Sequence, residues 1–318
     1  MDDFVLAGDL GGTNLRIAAV DRQGRLLCRA EVSTPRYTDE TKIVEAARGL
    51  ADQCRAQVGA KPIALGFAIP AIMDAEDGRI FRSPNLPELG GTPLAASLEA
   101  NLGLDVVLEN DANAAAIGEH WLGSSSDFAS SIFVTLGTGV GGGIILDGKP
   151  LRGPDGTAGE IGHMCVEPSG PPCGCGSNGC LEQFASATAI VRMANELRNE
   201  FPDSPIFGID NFAARDVFQC GIDGDLLCRE VFRRAGMYLG VLLAGLINAV
   251  NPDAIVIGGG AADGWDLFID ALRTEITKRA FPEPAERARI FRASLGSDAG
   301  IIGAAHLAFS RYGPTRPA

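Results

Sequence analysis

Phe4-Val5-Leu6-Ala7-Gly8-Asp9-Leu10-Gly11-Gly12-Thr13-Asn14-Leu15-Arg16-Ile17-Ala18-Ala19-Val20 opens the chain with an apolar run that reaches an aspartate, a glycine turn, and a second apolar run. Runs of this length bounded by Gly, Asn and Asp read as strand, turn, strand. The same order returns at Ile132-Phe133-Val134-Thr135-Leu136, Gly137-Thr138-Gly139 and Val140 to Leu146, and each unit closes on an Asp and a Gly turn. This reads as an internal repeat at domain scale, with two independent Gly-rich hairpins as the alternative.

Helices fill the space around these strands. Apolar positions at Ile43, Val44, Ala47, Leu50, Ala51 and Cys54 give Asp39 to Val58 a helical period, and Pro62 to Ile69 reads as a buried strand. Pro70 to Pro93 is turn-rich; Thr92 as N-cap and Pro93 at the first helical position would start a helix to Asn101. A strand at Asp105 to Glu109 stops at Asn110-Asp111, and an alanine-rich helix follows through Trp121. Ala187 to Phe201 and Leu226 to Val250 are helical, the latter closed by Asn251-Pro252. A strand at Asp253 to Ile257 runs into Gly258-Gly259-Gly260. A helix from Trp265 to Arg279, a Pro-rich turn, a strand at Arg289 to Arg292 and a helix near Ala299 to Phe309 follow. Strands alternating with helices make an α/β fold.

Composition sets limits. At 318 residues the chain has room for two domains, and 46% apolar against 21% charged residues describes a globular protein. The formal charge of −13 disfavours nucleic acid and anionic membranes as partners, since both bind clustered Lys and Arg. Met1-Asp2-Asp3-Phe4 carries no basic n-region or cleavable apolar run, so a cytoplasmic location is expected. Met237 to Val250, the most apolar segment, is too short to cross a bilayer. Of eight cysteines, Cys28, Cys54, Cys165, Cys220 and Cys228 are scattered, which fits reduced thiols better than a disulfide framework.

The other three cysteines belong to a cluster. Gly159-Glu160-Ile161-Gly162-His163 is followed, after nine residues, by Cys173-Gly174-Cys175-Gly176-Ser177-Asn178-Gly179-Cys180-Leu181-Glu182. His163, Cys173, Cys175 and Cys180 are the ligand types zinc prefers, and four protein ligands close a tetrahedral shell. A closed shell leaves no position for an activated water, so the site braces structure and a zinc hydrolase is disfavoured. The alternative is a Gly/Cys-rich surface loop with ordinary thiols.

An acidic chain can still bind phosphate. Glycine turns after strands expose successive backbone N–H groups that form anion-binding nests without any lysine. Three such turns occur here, at Gly11-Gly12-Thr13, Gly137-Thr138-Gly139 and Gly258-Gly259-Gly260; singly, each is explained as well by a structural hairpin.

Asp9-Leu10-Gly11-Gly12-Thr13-Asn14-Leu15-Arg16 together with the His163/Cys173/Cys175/Cys180 cluster resembles the ROK family of sugar kinases and repressors over essentially the whole chain. Ser83-Pro84-Asn85-Leu86-Pro87, Leu108-Glu109-Asn110-Asp111-Ala112-Asn113 and Gly159-Glu160-Ile161-Gly162-His163 resemble its glucokinase-like branch. The resemblance implies an actin-like (ribonuclease-H-like) ATPase fold with an active-site cleft between two α/β domains. The expected domains are 1–118 plus 299–318, with the final helix packed back on the first domain, and 119–298 carrying the zinc.

The resemblance also implies an ATP-dependent hexose kinase acting on the 6-hydroxyl, with Mg²⁺, ATP and structural zinc, and a homodimer or higher homo-oligomer is expected. It makes Asp111 the base that accepts the sugar hydroxyl proton, where the residues alone allow an ordinary helix cap. Asp9 would stand near a hydrated Mg²⁺, or simply form a turn. Gly11, Gly12 and Thr13 would cradle the phosphates from one domain and Thr138 and Gly139 from the other, with Gly259 and Gly260 approaching the adenosine. Asn85, Asn110, Asp111, Glu160, His163 and Glu182 match the family's hydroxyl-binding set, although Glu160 and Glu182 also read as solvated loop charges.

Two departures flank the expected sugar pocket: Pro70-Ala71 stands where the family has Pro-Gly, and Pro87-Glu88-Leu89 where it has Pro-Gly-Trp. Glucose leads, with mannose, fructose, allose and N-acetylhexosamine open. Polyphosphate as donor finds no extended basic stretch. A sugar-responsive repressor needs a DNA-binding module, and a first strand at Phe4 leaves no room ahead of it in this sequence.

Overall fold

Residues 3–34, 39–74, 77–83 and 86–313 are described in the computed structural model. The chain forms two compact units, residues 1–127, 143–159 and 294–318, and residues 128–142 and 160–293.

The first unit is built on a five-stranded sheet. Its strands β1 (Phe4–Leu10), β2 (Asn14–Asp21) and β3 (Leu26–Ser33) are antiparallel neighbours, and β4 (Ala64–Ile69) and β7 (Asp105–Asn110) extend the sheet in parallel beyond β1. The order is β3-β2-β1-β4-β7; β5 (Ile72–Met73) and β6 (Ile80–Arg82) form a separate ribbon. All of β1 is buried because both faces are covered, which is why the sequence reads as a continuous apolar run rather than an alternating one. Phe4, Leu6 and Leu10 belong to a core that includes α1 (Glu40–Val58) and α2 (Leu94–Leu102), whereas Val5 and Ala7 join a second core containing α10 (Ala299–Tyr312).

That second core is made of small residues, and backbones touch. A Cβ added at Gly66 would strike the carbonyl of Ala304, and one at Gly303 the carbonyl of Ala114 in α3 (Asp111–Trp121). Gly303→Ala is therefore expected to lower stability by about 1–3 kcal/mol or more, because two helix backbones must separate. Equilibrium urea unfolding reads this directly; an unchanged midpoint would contradict the packing.

The second sheet repeats the first. Its order is β10-β9-β8-β11-β12, formed by β8 (Ser131–Leu136), β9 (Val140–Leu146), β10 (Lys149–Pro150), β11 (Ala254–Gly258) and β12 (Arg289–Arg292). Again a strand-turn-strand pair leads, and two parallel strands follow beyond its first member. The repeat read from the two glycine turns is therefore a repeat of topology. The second unit's helices are α4 (Glu182–Ala185), α5 (Ala187–Glu196), α6 (Ala214–Ile222), α7 (Leu226–Val250), α8 (Trp265–Arg279) and α9 (Pro282–Arg287).

Local chemistry explains most boundaries. Asp39 accepts from the Lys42 N–H at the start of α1, and Gly59 ends it in the left-handed region at φ 71°. Asp225 caps α7 and Asn251 ends it at φ 51°. No helix of the described residues is long and apolar enough to cross a membrane. On α7, Arg233 and Arg234 hold the Glu230 carboxyl down at about 2. This contribution is complete above the ordinary Glu pKa of about 4.3 and is lost as pH falls through about 2. Glu230→Gln should cost less than about 1 kcal/mol at pH 7, and its stability curve should converge on wild type near pH 2.

Three local expectations change. Thr92 does not cap α2: its hydroxyl donates to the Leu89 carbonyl at 2.8 Å, closing the preceding turn, and α2 starts at Leu94. The helix expected to reach Phe201 ends at Glu196, where separate turns take over. The Pro-rich turn is the short helix α9, with Pro282 in its first turn. The unit bounds also differ from 118/119, which falls inside α3, and residues 143–159 lie with the first unit. Gly143 packs against Ala116 and the backbone of Ala112 and Asn113, so α3 and the start of this segment are held together.

Candidate active site

In the first unit, the expected residues gather at the ends of β1 and β7. Pairing of β1 with β2 sets Asp9 opposite Arg16, and the guanidinium bonds the carboxylate. Burial pushes the Asp9 carboxyl up while Arg16 opposes the shift, so a second cation beside it would favour the charged form. Gly11 donates its N–H to the Asn14 carbonyl at 2.9 Å, and Thr34 bonds the carbonyls of Gly11 and Thr13, which fixes the turn.

Neither Gly11 nor Gly12 has positive φ. A Cβ at Gly12 would meet nothing within 4 Å and one at Gly11 only the Asn14 carbonyl, at 3.5 Å. The chain itself does not demand glycine at either position. The space a side chain would fill lies beside exposed main chain, as a phosphate cradle requires.

At the end of β7, Asn110 is the N-cap of α3, its side chain accepting from the N–H groups of Ala112 and Asn113. The cap role that the residues alone allowed for Asp111 therefore belongs to its neighbour. Asp111 is the first helical residue, half-buried, and its Oδ1 accepts from the Ala112 N–H at 2.9 Å. A carboxylate here complements the positive end of the helix. Asn110 also donates to the Ala71 carbonyl at 3.4 Å. Asn85 lies outside the described residues.

In the second unit the equivalent turn follows β8. Gly137 donates to the Gly139 carbonyl, while Ala187 and Thr188 at the start of α5 bond the carbonyls of Gly137 and Thr138. A Cβ at Gly139 would meet the Glu182 carboxylate, the end of a flexible side chain that could swing aside at the cost of its bond to the Val140 N–H. Gly259, at φ 86° and against the backbone of Leu136, is required by the fold, whereas a Cβ at Gly260 meets nothing within 4 Å.

The metal-type residues converge. One ligand atom from each of His163, Cys173, Cys175 and Cys180 lies within 4.8 Å of all the others. His163 Nδ1 is 3.6 Å from Cys173 Sγ, and Cys175 Sγ is 3.6 Å from Cys180 Sγ. Zinc bonds of about 2.3 Å to sulfur and 2.0–2.1 Å to nitrogen put tetrahedral corners roughly 3.5–3.8 Å apart, so the residues fit a closed zinc shell. Burial pushes the Cys180 thiol up to about 12, while the Ser177 N–H draws Cys175 down. Bound zinc would displace both protons.

Around this cluster the backbone turns sharply. Gly176 and Gly179 have φ of 95° and 64°, and the Gly179 position is closed to a side chain by the Glu167 carbonyl. Gly162 lies against the Val140 carbonyl, which explains the glycine before His163. Glu160 is exposed, and its carbonyl accepts from the His163 N–H. Glu182 joins the pieces: Oε2 accepts from the Val140 N–H at 3.1 Å, beside the glycine turn, and Oε1 lies 3.9 Å from Cys173 Sγ.

Two buried carboxylates of the first unit escaped the sequence reading. Glu119, fully buried, accepts from the N–H groups of Ser124, Ser294 and Leu295, anchoring the entry to α10. Glu109, at the end of β7, pairs with Arg152.

Twin glycine turns on twin sheets, with a carboxylate at a strand end, define a phosphate-handling α/β protein. The chain belongs to the ROK family, whose model matches residues 5–311. It is 36% identical over 312 residues to a glucokinase of Halalkalibacterium halodurans, covering 95% of this chain and 94% of that one. A ROK family glucokinase from Streptomyces griseus, solved in complex with glucose and AMPPNP, superposes with a TM-score of 0.83 at 35% identity, over 96% of this chain and 99% of that one. A ROK family transcriptional regulator, a homologue of the E. coli MLC protein, superposes at 0.90 with 25% identity, over 98% of this chain but 79% of its own. The ROK sugar kinases among these neighbours share the actin-like fold, as expected from the sequence.

Proposed function

We propose that this protein transfers the γ-phosphoryl group of ATP to the 6-hydroxyl of a hexose, glucose first. The observation that carries the reading is the Gly11-Gly12-Thr13 turn. It is fixed by its own hydrogen bonds and open where side chains would stand, in a chain 35% identical to a glucokinase that holds glucose and an ATP analogue.

Asp111 accepts the proton of the sugar hydroxyl as its oxygen bonds the γ-phosphorus, the bond to the β–γ bridging oxygen breaks, and ADP leaves. Gly11, Gly12, Thr13, Thr138 and Gly139 offer N–H groups to the phosphates, with Gly260 towards the nucleoside. Gly259 serves its own backbone turn first. Asp9 would hold hydrated Mg²⁺, which supplies charge neutralisation on the phosphates. Asn85, Asn110, Glu160, His163 and Glu182 bind sugar hydroxyls. If zinc were held through Nδ1, the His163 Nε2–H would be left to donate to a sugar hydroxyl, so one ring could serve both metal and sugar.

A hexose panel with ATP, followed by coupled ADP release, tests this. Glucose is expected to give the highest kcat/KM; no ADP release with any hexose would refute it. The regulator-like structural neighbour favours a second reading, a sugar sensor without turnover, which predicts glucose binding and no ADP release.

A further inference from the structure

Glu109 is the residue before the Asn110-Asp111 turn, and its carboxylate is buried, the residue being 6% exposed. One oxygen accepts from the Asn110 N–H at 3.2 Å and from Asn113 Nδ2 at 3.3 Å. The other receives a two-pronged bond from Arg152, Nε at 2.8 Å and Nη2 at 2.6 Å. Asn110, the residue before Asp111, and Asn113, two residues after it, are thus tied to one carboxylate across the capped turn, and that carboxylate is tied to Arg152.

Arg152 belongs to the segment between β10 and Glu160. Its own carbonyl accepts from the Ala158 N–H at 3.0 Å, closing the loop whose next residues are Gly159 and Glu160. A cavity of about 270 Å³, lined by Ala71, Met73, Asn110, Arg152, Gly156 and Leu307 among others, borders the pair. On that side the guanidinium is not wedged by packing. Hydrogen bonds hold it: the Nε and Nη2 donors of the planar guanidinium converge on one carboxylate oxygen, a pair of bonds whose directions the rigid fork sets and a single ammonium cannot copy.

We propose that Arg152 is a positioning residue for phosphoryl transfer: through Glu109 it fixes the Asn110-Asp111 turn and couples that turn to the loop entering Glu160 and His163. The proposal rests on the kinase reading, with Asp111 as base. A merely structural role would be different in kind. Removing Arg152 strands a buried charge, and that penalty disappears when Glu109 is neutralised as well. Positioning is not restored in that way, because Glu109→Gln keeps the bonds to Asn110 and Asn113 but leaves nothing on the loop to hold.

Arg152→Lys, Arg152→Met and the double variant Glu109→Gln/Arg152→Met separate the two roles by kcat, KM, melting temperature and hydrogen exchange at residues 110–113. In Arg152→Met, kcat is expected to fall about 100-fold, the loss that follows a displacement of about 1 Å, with KM for ATP changed less than about threefold. Arg152→Lys should recover part of kcat, since one ammonium cannot reproduce the fork. The double variant should regain melting temperature without regaining kcat. Recovery of both together, or wild-type kcat in Arg152→Met, would overturn the proposal. If the wild-type protein phosphorylates no hexose, the kinase reading fails. The exchange data then decide the tie itself: faster exchange at 110–113 in Arg152→Met upholds it, and unchanged exchange overturns it.

Discussion

Asp111→Ala is expected to lower kcat by about a thousandfold or more, in the range that a positioned general base contributes. The fold should survive. Asn110, not Asp111, accepts from the N–H groups of Ala112 and Asn113, so the helix keeps its cap when the base is gone. Glucose affinity should fall by no more than about a hundredfold, the worth of one charge-assisted hydrogen bond. Asn110→Ala is the complementary variant: it removes the cap and should cost about 1 kcal/mol of stability. Coupled ADP release, thermal melts and glucose titration together check the separation. Turnover within about tenfold of wild type in Asp111→Ala would remove this residue from the base role.

The turnover that Asp111→Ala removes also depends on how an acidic chain handles a polyanion. With a formal charge of −13, long-range attraction works against ATP, and the donors must be local. Backbone N–H groups at strand ends can supply them without changing the net charge. On the proposed reading, specificity for a neutral polyol would follow the same logic, because carboxylates such as Asp111, Glu160 and Glu182 are acceptors that an uncharged sugar can satisfy and an anion cannot.

The readable parts of this molecule are those set by neighbours in sequence. The apolar runs around Gly11-Gly12 and Gly137-Thr138-Gly139 predicted two matching strand pairs, and Asp39, Asn251 and Pro252 marked helix ends because caps act within one turn. Thr92 carried the same signal and was diverted, its hydroxyl finding the Leu89 carbonyl first. The Glu109 to Arg152 bond joins residues 43 positions apart, and nothing local to either announces the other. Glu119 reads as a surface residue on an alanine-rich helix until the chain returns at Ser294 to cover it. Glycines show both sides: the family resemblance implied that Gly259 and Gly260 together approach the nucleoside, yet only Gly260 is open, since Leu136 approaches Gly259 through strand pairing.

Zinc removal should have an equally large effect and a different character. The knot from His163 to Glu182 is shaped by short loop hydrogen bonds and left-handed glycines. Structural zinc contributes about 10 kcal/mol or more in small zinc peptides, comparable to the roughly 5–15 kcal/mol that holds a whole domain. Without it His163 loses its anchor. Glu182, beside both Cys173 and the Val140 N–H, is then free to leave the glycine turn. Chelation, or Cys175→Ser, is therefore expected to abolish glucose binding and turnover while the sheet of the first unit stays folded. A shell of four protein ligands would leave the ion no open position for substrate, so reconstitution with cobalt or cadmium should restore kcat to within about threefold of the zinc protein. A rate that followed the Lewis acidity of the added metal would place the ion in the chemistry. An apo-protein that binds glucose normally would remove it from the site's architecture.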